Sequence, residues 1–282
     1  MSTILVTGAS GFIGKALVTS LVENTKHKVI AMSRRQPDID AKPIFVQGEF
    51  QSFEDLRKLD GYDIDVVIHL GAVTGGCSER DGMLVNVEGS RCLMRYLIDH
   101  GCKKFVMTSS IAVVGFQDPT FVPDALPMAD EHPCYDRHGY GLSKYLMEEV
   151  TRYYQRQNPD IDVINIRLAS VGPDEGMRDI YKPQPAHEWA FGYISRMALS
   201  DAVRLFTIAA QAPHKKGVRV MNAVAPKAAV ATTVPEVIRT WLPDADIDLS
   251  HYERPGHEKD TVYDVSRVKE ELGFVAEILP GE

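Results

Sequence analysis

The sequence has few cysteines, more acidic than basic residues, and no long apolar run. Its four cysteines among 282 residues show neither C-x-x-C pairing nor a zinc-type His/Cys spacing, so we expect free thiols, a reducing cytoplasmic location and no metal site. The net charge of −8 disfavours a nucleic-acid or anionic-membrane partner. No segment approaches the roughly 18 apolar residues of a membrane span, and the apolar start is too short for a signal peptide.

What the sequence does contain is an alternation of short β-branched segments and amphipathic stretches, which is typical of a parallel sheet covered by helices. We predict an α/β fold: a Rossmann doubly wound parallel sheet with a small discontinuous C-terminal substrate-binding cap. The nucleotide-binding core is predicted over 1–171, with 217–231 returning to the sheet, and 172–282 form most of the substrate-binding part. Strands are predicted at 3–7, 28–32, 44–46, 66–70, 104–108, 163–168 and 217–223. Helices are predicted at 13–22, 53–59, 82–99, 140–157 and 199–211.

Three glycines, Gly8, Gly11 and Gly14, follow the first predicted strand and open the first predicted helix. Glycine lets the backbone turn sharply and approach a pyrophosphate, whose charge the helix N-terminus favours. The spacing is G-x-x-G-x-x-G, and its place between strand and helix is the context that gives such a motif its meaning. The sequence therefore predicts a dinucleotide site here, with neighbouring contacts from Ser10, Phe12 and Ile13.

The second predicted strand ends in Ser33-Arg34-Arg35, where an NAD site usually carries an acidic residue for the ribose hydroxyls. A hydroxyl and two guanidinium groups suit a 2′-phosphate instead, so we predict NADP, with NAD as the alternative. The other interpretation of the two arginines is a pair of solvated loop charges. Later strand ends supply further predicted cofactor contacts: Glu49, Phe50, Leu70, Gly71 and Ala72.

Tyr140 and Lys144 lie four residues apart in the predicted helix 140–157, so both side chains project from one helix face. At ~4 Å and an effective dielectric of about 20, the ammonium would attract a phenolate by roughly 4 kcal/mol, which lowers the pKa of the phenol. Such a phenol can exchange a proton with a substrate hydroxyl. The spacing is common in helices, and its position after a dinucleotide loop and a strand ending in Ser109-Ser110 gives it weight.

Together these motifs resemble the extended short-chain dehydrogenase/reductases, also called the NAD-dependent epimerase/dehydratase family. The resemblance implies a catalytic hydroxyl at Ser110, an acid/base at Tyr140, and a lysine partner at Lys144 that also holds the nicotinamide ribose. It also implies that Asn86 supports the lysine side of the site and that Thr108 faces the cofactor. The motifs that carry it are Thr7-Gly8-x-x-Gly11-x-x-Gly14, His69-Leu70-Gly71-Ala72, Asn86-Val87-x-Gly89, Ser109-Ser110-x-x-Val113, Tyr140-Gly-x-Ser-Lys144, Arg167-Leu168, Arg254-Pro255-Gly256 and Leu272-Gly273-Phe274.

Within that family, the segment from Arg167 to Arg178 is similar to uronate dehydrogenase, and the segment 108–115 is similar to other sugar-acid dehydrogenases. By that likeness the substrate contacts are Thr74, Ser110, Ile111, Tyr140, Ser170 and Arg178. His187 and Trp189 are further candidates to line the pocket, although a lone histidine or tryptophan in a loop more often packs. The family also implies a homodimer, formed by the helices 82–99 and 140–157.

The resulting functional prediction is an enzyme, an NADP-preferring oxidoreductase that transfers hydride to or from a sugar-derived alcohol or carbonyl such as a sugar acid. One alternative is a sugar or nucleotide-sugar epimerase or dehydratase, which regenerates its cofactor in each cycle. A second alternative is a redox sensor that binds NADP without catalysis. The Tyr140–Lys144 pair, with Ser110 upstream, argues against the sensor.

Overall fold

The structure is a computed structural model that describes residues 1–178, 180–182 and 184–281. Its strands are β1 (Thr3–Thr7), β2 (Lys28–Ser33), β3 (Ile44–Gln47), β4 (Val66–His69), β5 (Lys104–Ser110), β6 (Asp162–Leu168), β7 (Ser170–Gly172), β8 (Arg196–Ala198) and β9 (Gly217–Ala223). Its helices are α1 (Phe12–Asn24), α2 (Phe53–Leu56), α3 (Glu79–Asp81), α4 (Gly89–Asp99), α5 (Tyr140–Gln157), α6 (Ala190–Ile194), α7 (Leu199–Gln211), α8 (Val234–Trp241) and α9 (Ser266–Leu272).

Seven strands form one sheet in the order β3-β2-β1-β4-β5-β6-β9, and β7 pairs with β8 in a separate parallel ribbon. In the large sheet β1 is parallel to both β2 and β4, β2 to β3, and β4 to β5. The chain moves outward in one direction from β1 to β3 and in the other direction from β4 onward. Sheets of this kind bind dinucleotides beyond the carboxyl ends of the strands at that reversal. The predicted Rossmann-type α/β fold is therefore confirmed.

The strands are predominantly apolar because helices cover the sheet. Every residue of β4 and of β6 is buried. In one large cluster the sheet strands meet α4 through side chains such as Leu5, Ile30, Val67, Phe105 and Leu97, each at most 1% exposed. Burial of this size is the main favourable term in folding such a domain.

The seven predicted sheet strands are all present, with ends within two residues of the predictions, and α5 and α7 have the predicted bounds. The segment predicted as one helix over 82–99 instead begins with a π-helix, Gly82–Glu88, before α4. Such π-turns occur mostly at functional sites. The short pair β7–β8 and helix α6 were not predicted, since three to five residues are too few to show a hydrophobic period.

The chain forms two compact units. Unit 1 comprises Met1–Ser109, Ser143–Ile166 and Val203–Val220, and unit 2 comprises Ser110–Leu142, Arg167–Ala202 and Met221–Glu282. The expected core over 1–171 thus includes the segment 110–142, which the structure groups with the C-terminal part. The reason is hydrogen bonding: Met128 N donates to Val262 O at 2.8 Å, and Tyr263 Oη donates to Ile111 O at 3.5 Å.

Two negative findings concern the described part of the chain. Within it, the four cysteines form no disulfide. Across residues 1–178, 180–182 and 184–281, every helix is too short or too polar to cross a membrane.

Candidate active site

The glycine loop between β1 and α1 lies directly against the end of β4. Gly8 has a φ of +69°, and a Cβ on it would lie 2.7 Å from the backbone nitrogen of Gly71. Only glycine adopts this left-handed backbone without strain and leaves room for Gly71. Gly11 N donates to Gly8 O at 2.9 Å, which closes the turn before the helix.

Helix α1 presents its N-terminus at this loop. Its N-cap, Gly11, offers no side-chain hydrogen bond, and the first turn contains no acidic residue. The backbone amides of Phe12, Ile13 and Gly14 have no partner within the helix, because the first turn of any α-helix lacks upstream carbonyls. This end of the helix therefore suits a phosphate group.

A cleft of about 230 Å³ in unit 1 begins at the glycine loop. Ten of its lining residues were predicted to contact the cofactor: Gly8, Ser10, Gly11, Ser33, Arg34, Glu49, Phe50, Leu70, Gly71 and Ala72. Five were missed: Met32, Gly48, Gln51, Val73 and Val85. Most of the missed residues follow or precede strand ends and carry no distinctive chemical group, so the sequence offered no signal for them.

Where β2 ends at the cleft, only one of the two predicted arginines is among the lining residues. Arg34 lines the cleft, whereas the exposed Arg35 does not. Ser33 is 7% exposed, and its hydroxyl donates to the backbone oxygen of Arg35 at 2.7 Å. The hydroxyl hydrogen of Ser33 is thus already donated within the loop. Arg34 brings a positive charge to the cleft lining.

A buried histidine joins the strands to the helix that follows them. His69 Nδ1 lies 2.6 Å from Thr7 Oγ1, and Nε2 lies 3.1 Å from Ser90 Oγ. Because Ser90 donates its proton to Asn86 O at 2.6 Å, we assign the hydrogen of the His69 ring to Nε2. Burial, and then the nearby charge of Lys144, lower the pKa of His69 to about 3. The ring is therefore neutral at physiological pH.

Asn86 lies in the π-helix and holds two other segments in place. Its Oδ1 accepts from Val73 N at 2.9 Å, and its Nδ2 donates to Val73 O at 3.0 Å. The same Nδ2 is 2.9 Å from Ser143 Oγ, next to Lys144. The side chain therefore fixes a residue of the cleft lining and the neighbour of the predicted catalytic lysine, and its supporting role in catalysis stays a prediction.

Lys144 is almost completely buried. It is 2% exposed, and its Nζ donates to Thr108 O at 2.8 Å. Burial lowers the pKa of Lys144 to about 8, while the charges of Cys77 and Glu148 act in the opposite direction. Glu148, one turn further along α5, is itself buried and accepts from Ser109 Oγ at 2.6 Å. The sequence analysis did not single out this carboxylate, although its i+4 spacing from Lys144 was a usable signal.

The residues present fit a nicotinamide dinucleotide. The glycine loop leaves a gap that any Cβ would fill, and the free amides of α1 face it. Thr108 Oγ1 is buried and lacks a hydrogen-bond partner within the described structure. Buried polar atoms of this kind usually have a partner, so an orphaned one calls for a ligand or a water. Beside Lys144, the hydroxyl of Thr108 is a group that a bound cofactor would satisfy.

In unit 2, Ser110 ends β5 and starts a 3₁₀-helix, Ile111–Val114. Its Oγ accepts from Ala112 N at 3.1 Å, and it is 8% exposed. Since this bond uses only a lone pair of the oxygen, the hydroxyl hydrogen is left to donate elsewhere. Ile111 is 2% exposed, which makes the predicted substrate contact through its side chain an apolar one.

Tyr140 is the first residue of α5 and is half-buried. The next residue, Gly141, packs on the Ser110 turn: a Cβ there would lie 2.4 Å from the backbone oxygen of Ala112. The glycine of the Tyr-Gly-x-Ser-Lys motif is thus a close-approach position. It brings the start of α5, and with it Tyr140, up to the turn that carries Ser110.

The remaining predicted substrate contacts are more exposed. Ser170 lies in β7 and Arg178 ends the 3₁₀-helix Asp174–Arg178, and both are exposed. Thr74 belongs to unit 1, is exposed, and accepts through its backbone oxygen from Cys77 N at 3.1 Å. Their assignment to the substrate stays a prediction.

One cluster outside the predicted site has ligand-type side chains. His251 Nε2 and His257 Nδ1 lie 3.0 and 2.6 Å from Asp260 Oδ2. The other carboxylate oxygen accepts from Lys227 Nζ at 2.6 Å, and Arg254 Nη2 lies 2.6 Å from His251 Nδ1. Lys227 therefore already pairs with the carboxylate, and Arg254 extends the group through His251, which is the arrangement of a polar and ion-pair network. The expected absence of a metal stays a prediction.

Comparison with known protein families gives a match that covers most of the chain. Residues 4–208 match the model of the NAD dependent epimerase/dehydratase family. The chain belongs to that family. These comparisons do not confirm the particular likeness to uronate dehydrogenase.

Individual relatives are UDP-glucose 4-epimerases. The chain is 29% identical to the one from Neisseria meningitidis serogroup C over 77% of its own length and 67% of that protein, and 25% identical to the one from Pisum sativum over 76% and 65%. It covers between 43% and 68% of the length of such curated relatives. The structure of UDP-glucose 4-epimerase from Bifidobacterium longum in complex with NAD+ and UDP superposes with a TM-score of 0.74 at 20% identity, over 99% of this chain and 95% of that one.

Proposed function

We propose that this enzyme epimerises a sugar carried by a nucleoside diphosphate, by oxidising one ring hydroxyl and reducing the same carbon again. The observation that carries the proposal is the similarity to UDP-glucose 4-epimerases over about three-quarters of this chain, and the sequence contains Ser110, Tyr140 and Lys144 where the family resemblance implies them. It replaces the net oxidation of a sugar acid, which the residues first suggested, as the leading hypothesis. A bound nicotinamide would supply the acceptor and then the donor of hydride.

In this proposal Tyr140 is the acid/base. Its phenolate takes the proton of the sugar hydroxyl while the C–H hydrogen of the same carbon leaves as hydride. The resulting carbonyl carbon is flat, so return of hydride to its other face inverts that carbon, and Tyr140 returns the proton to the oxygen. Ser110, with its hydroxyl hydrogen free to donate, hydrogen-bonds that oxygen and aligns it.

Lys144 serves this step electrostatically. Its ammonium, one turn after Tyr140 on α5, stabilises the phenolate and lowers the energy needed to form it. The bond from Lys144 Nζ to Thr108 O fixes the position of the charge. Asn86 and neutral His69 contribute by holding the surrounding backbone rather than by exchanging protons.

The second candidate is the NADP-dependent oxidation of a free sugar acid. It is favoured by Arg34 at the ribose end of the cleft, where no acidic residue ends β2. An enzyme that releases reduced cofactor after each turnover would use such a charge to select NADP.

One panel separates the two candidates. Purified protein is incubated with UDP-glucose and NAD, and UDP-galactose is measured by NMR. In parallel, glucuronate is offered with NAD or NADP, and reduced cofactor is followed by absorbance. We expect UDP-galactose without net reduction of NAD, and none with Tyr140→Phe. Steady reduction of NADP by glucuronate, with no epimer formed from UDP-glucose, would reject the epimerase in favour of the dehydrogenase.

We also propose a homodimer that pairs the region 82–99 with α5. Apolar side chains are exposed on both segments: Leu84 is 50% exposed, Met83 38% and Tyr153 48%. Exposed apolar groups on adjoining helical segments suit burial against a second copy. Light scattering of the purified protein should give twice the monomer mass, and Leu84→Glu with Tyr153→Glu should return it to the monomer mass.

A further inference from the structure

Trp189 has an unusual backbone. Its φ is +66°, and it is the one non-glycine residue in the described ranges with a left-handed conformation. This conformation is unfavourable for a bulky side chain and persists only where surrounding structure imposes it. Here two hydrogen bonds do so at the start of α6: Ala190 N donates to His187 O at 3.1 Å, and Tyr193 N donates to Trp189 O at 3.0 Å.

The imposed backbone directs the indole toward the acid/base. The ring centroids of Trp189 and Tyr140 are 6.4 Å apart, with their planes inclined by 40°. On another side Phe116 meets the indole edge-on, at 5.8 Å and 70°. Phe116 is 3% exposed and packs on Gly192, where a Cβ would lie 2.8 Å from its ring. The indole is therefore supported from within while the residue itself stays half-buried.

We propose that Trp189 is the aromatic wall of the substrate site, on which the C–H face of a pyranose ring packs while a ring hydroxyl meets Tyr140. A pyranose has polar edges but apolar faces, and an aromatic ring offers a flat, weakly negative surface that suits such C–H groups. The inference rests on the proposed function for its substrate class. It favours, for this tryptophan, pocket lining over the more common packing role.

A purely structural role accounts less well for these observations. An indole that only filled space beside Phe116 would gain nothing from a strained backbone, whereas strained residues collect at ligand clamps and active sites. Trp189 also lies close to Tyr140. A sugar held flat against the indole would therefore present only certain hydroxyls to the phenol. Trp189 would thereby influence which carbon reacts.

The chain has only two tryptophans, which permits a direct test. Trp241, the other one, is 6% exposed and donates from Nε1 to Gln184 O at 3.0 Å. In Trp241→Phe, Trp189 is the sole indole; in Trp189→Phe, only Trp241 remains. Each variant is titrated with UDP-glucose, and separately with glucuronate, in the presence of NAD, and the emission is recorded. Wild-type protein labelled with 5-fluorotryptophan provides a second test, because ¹⁹F NMR follows Trp189 without the Trp241 substitution.

We expect a saturable change of Trp189 emission with at least one of the two sugars and none from Trp241. We also expect Trp189→Ala to raise the KM for the reacting sugar tenfold or more, with Trp189→Phe between it and wild type. Turnover with an unmoved Trp189 signal and a KM within twofold in Trp189→Ala would overturn this inference alone. A change of Trp189 emission without epimerisation would reject the proposed function and support the inference that Trp189 contacts the sugar. No signal and no turnover with either sugar would overturn both.

Discussion

Replacing Lys144 by methionine should make the protein more stable and inactive at the same time. Lys144 is 2% exposed, and burial lowers its pKa from an ordinary 10.5 to about 8. At 1.36 kcal/mol per pKa unit, holding the ammonium in the folded state costs about 3 kcal/mol at pH 7. Methionine has a similar length and no charge, so Lys144→Met removes that cost.

The gain is partly offset by one lost hydrogen bond. Without the ammonium, Thr108 O loses its 2.8 Å donor, which costs about 1–2 kcal/mol. We therefore expect the free energy of unfolding at pH 7 to rise by about 1–2 kcal/mol. Activity should fall at least a hundredfold, because the phenolate of Tyr140 loses its neighbouring charge.

The pH dependence provides a second, independent signature. Between pH 8 and pH 10.5 the folded protein releases the Lys144 proton while the unfolded chain still holds it. The unfolded state then binds more protons, so this group makes stability rise with pH across that window. The rise should be present in wild type and absent from Lys144→Met.

The assay is urea unfolding of the cofactor-free protein at pH 7 and pH 9.5, followed by circular dichroism. Lys104→Met is the matched control, since Lys104 is also buried, at 5% exposed, but lies 3.8 Å from the carboxylate of Asp162. Burial lowers the pKa of Lys104 as well, but its removal takes one of two cations from the fully buried carboxylate of Asp162, and we expect that loss to outweigh the relief and destabilise the variant. If Lys144→Met also lost 1 kcal/mol or more at pH 7, the buried ammonium would be a net structural anchor and the reasoning would be refuted.

Four further predictions concern single substitutions. Tyr140→Phe should lower kcat by about 10²–10⁴-fold, the usual size of acid/base catalysis, while the affinity for NAD measured by titration stays within twofold; near-normal turnover would exclude Tyr140 as the acid/base. Arg34→Glu should shift the ratio of NADP to NAD affinity toward NAD, because a carboxylate repels a 2′-phosphate and accepts from ribose hydroxyls; an unchanged ratio would show that Arg34 does not face that ribose. Asp162→Asn should cost about 3–5 kcal/mol in urea unfolding, since it leaves the 6%-exposed Arg219 without its carboxylate. Burial raises the pKa of Asp130 to about 6, so the stability that its protonated carboxyl provides is lost as the pH rises through 6. Asp130→Asn should therefore raise the free energy of unfolding by up to about 3 kcal/mol at pH 7.5 and by little at pH 4. Equal increases at both pH values would contradict this.

The core of the fold could be predicted from the sequence because its signals are local. The strands are rich in β-branched apolar residues, such as 66–68 in β4, and glycines mark the turn into α1, so strand positions followed directly. The Tyr140–Lys144 spacing likewise placed both groups on one helix face, since a helix repeats every 3.6 residues. Short elements such as β7 and α6 have no such period and were missed.

What depends on contacts between distant residues was decided by the tertiary structure alone. Arg34 and Arg35 look equivalent in the sequence, yet only Arg34 borders the cleft. The pKa of Lys144 is set by the side chains and backbone packed around it, which no local pattern encodes. The left-handed backbone of Trp189 and the 6.4 Å between its ring centroid and that of Tyr140 are likewise evident only in the folded chain. The sequence by itself determined which chemical groups are available and on which elements they lie; folding decided their burial and partners, because desolvation and close contact arise only when segments far apart in the chain pack together.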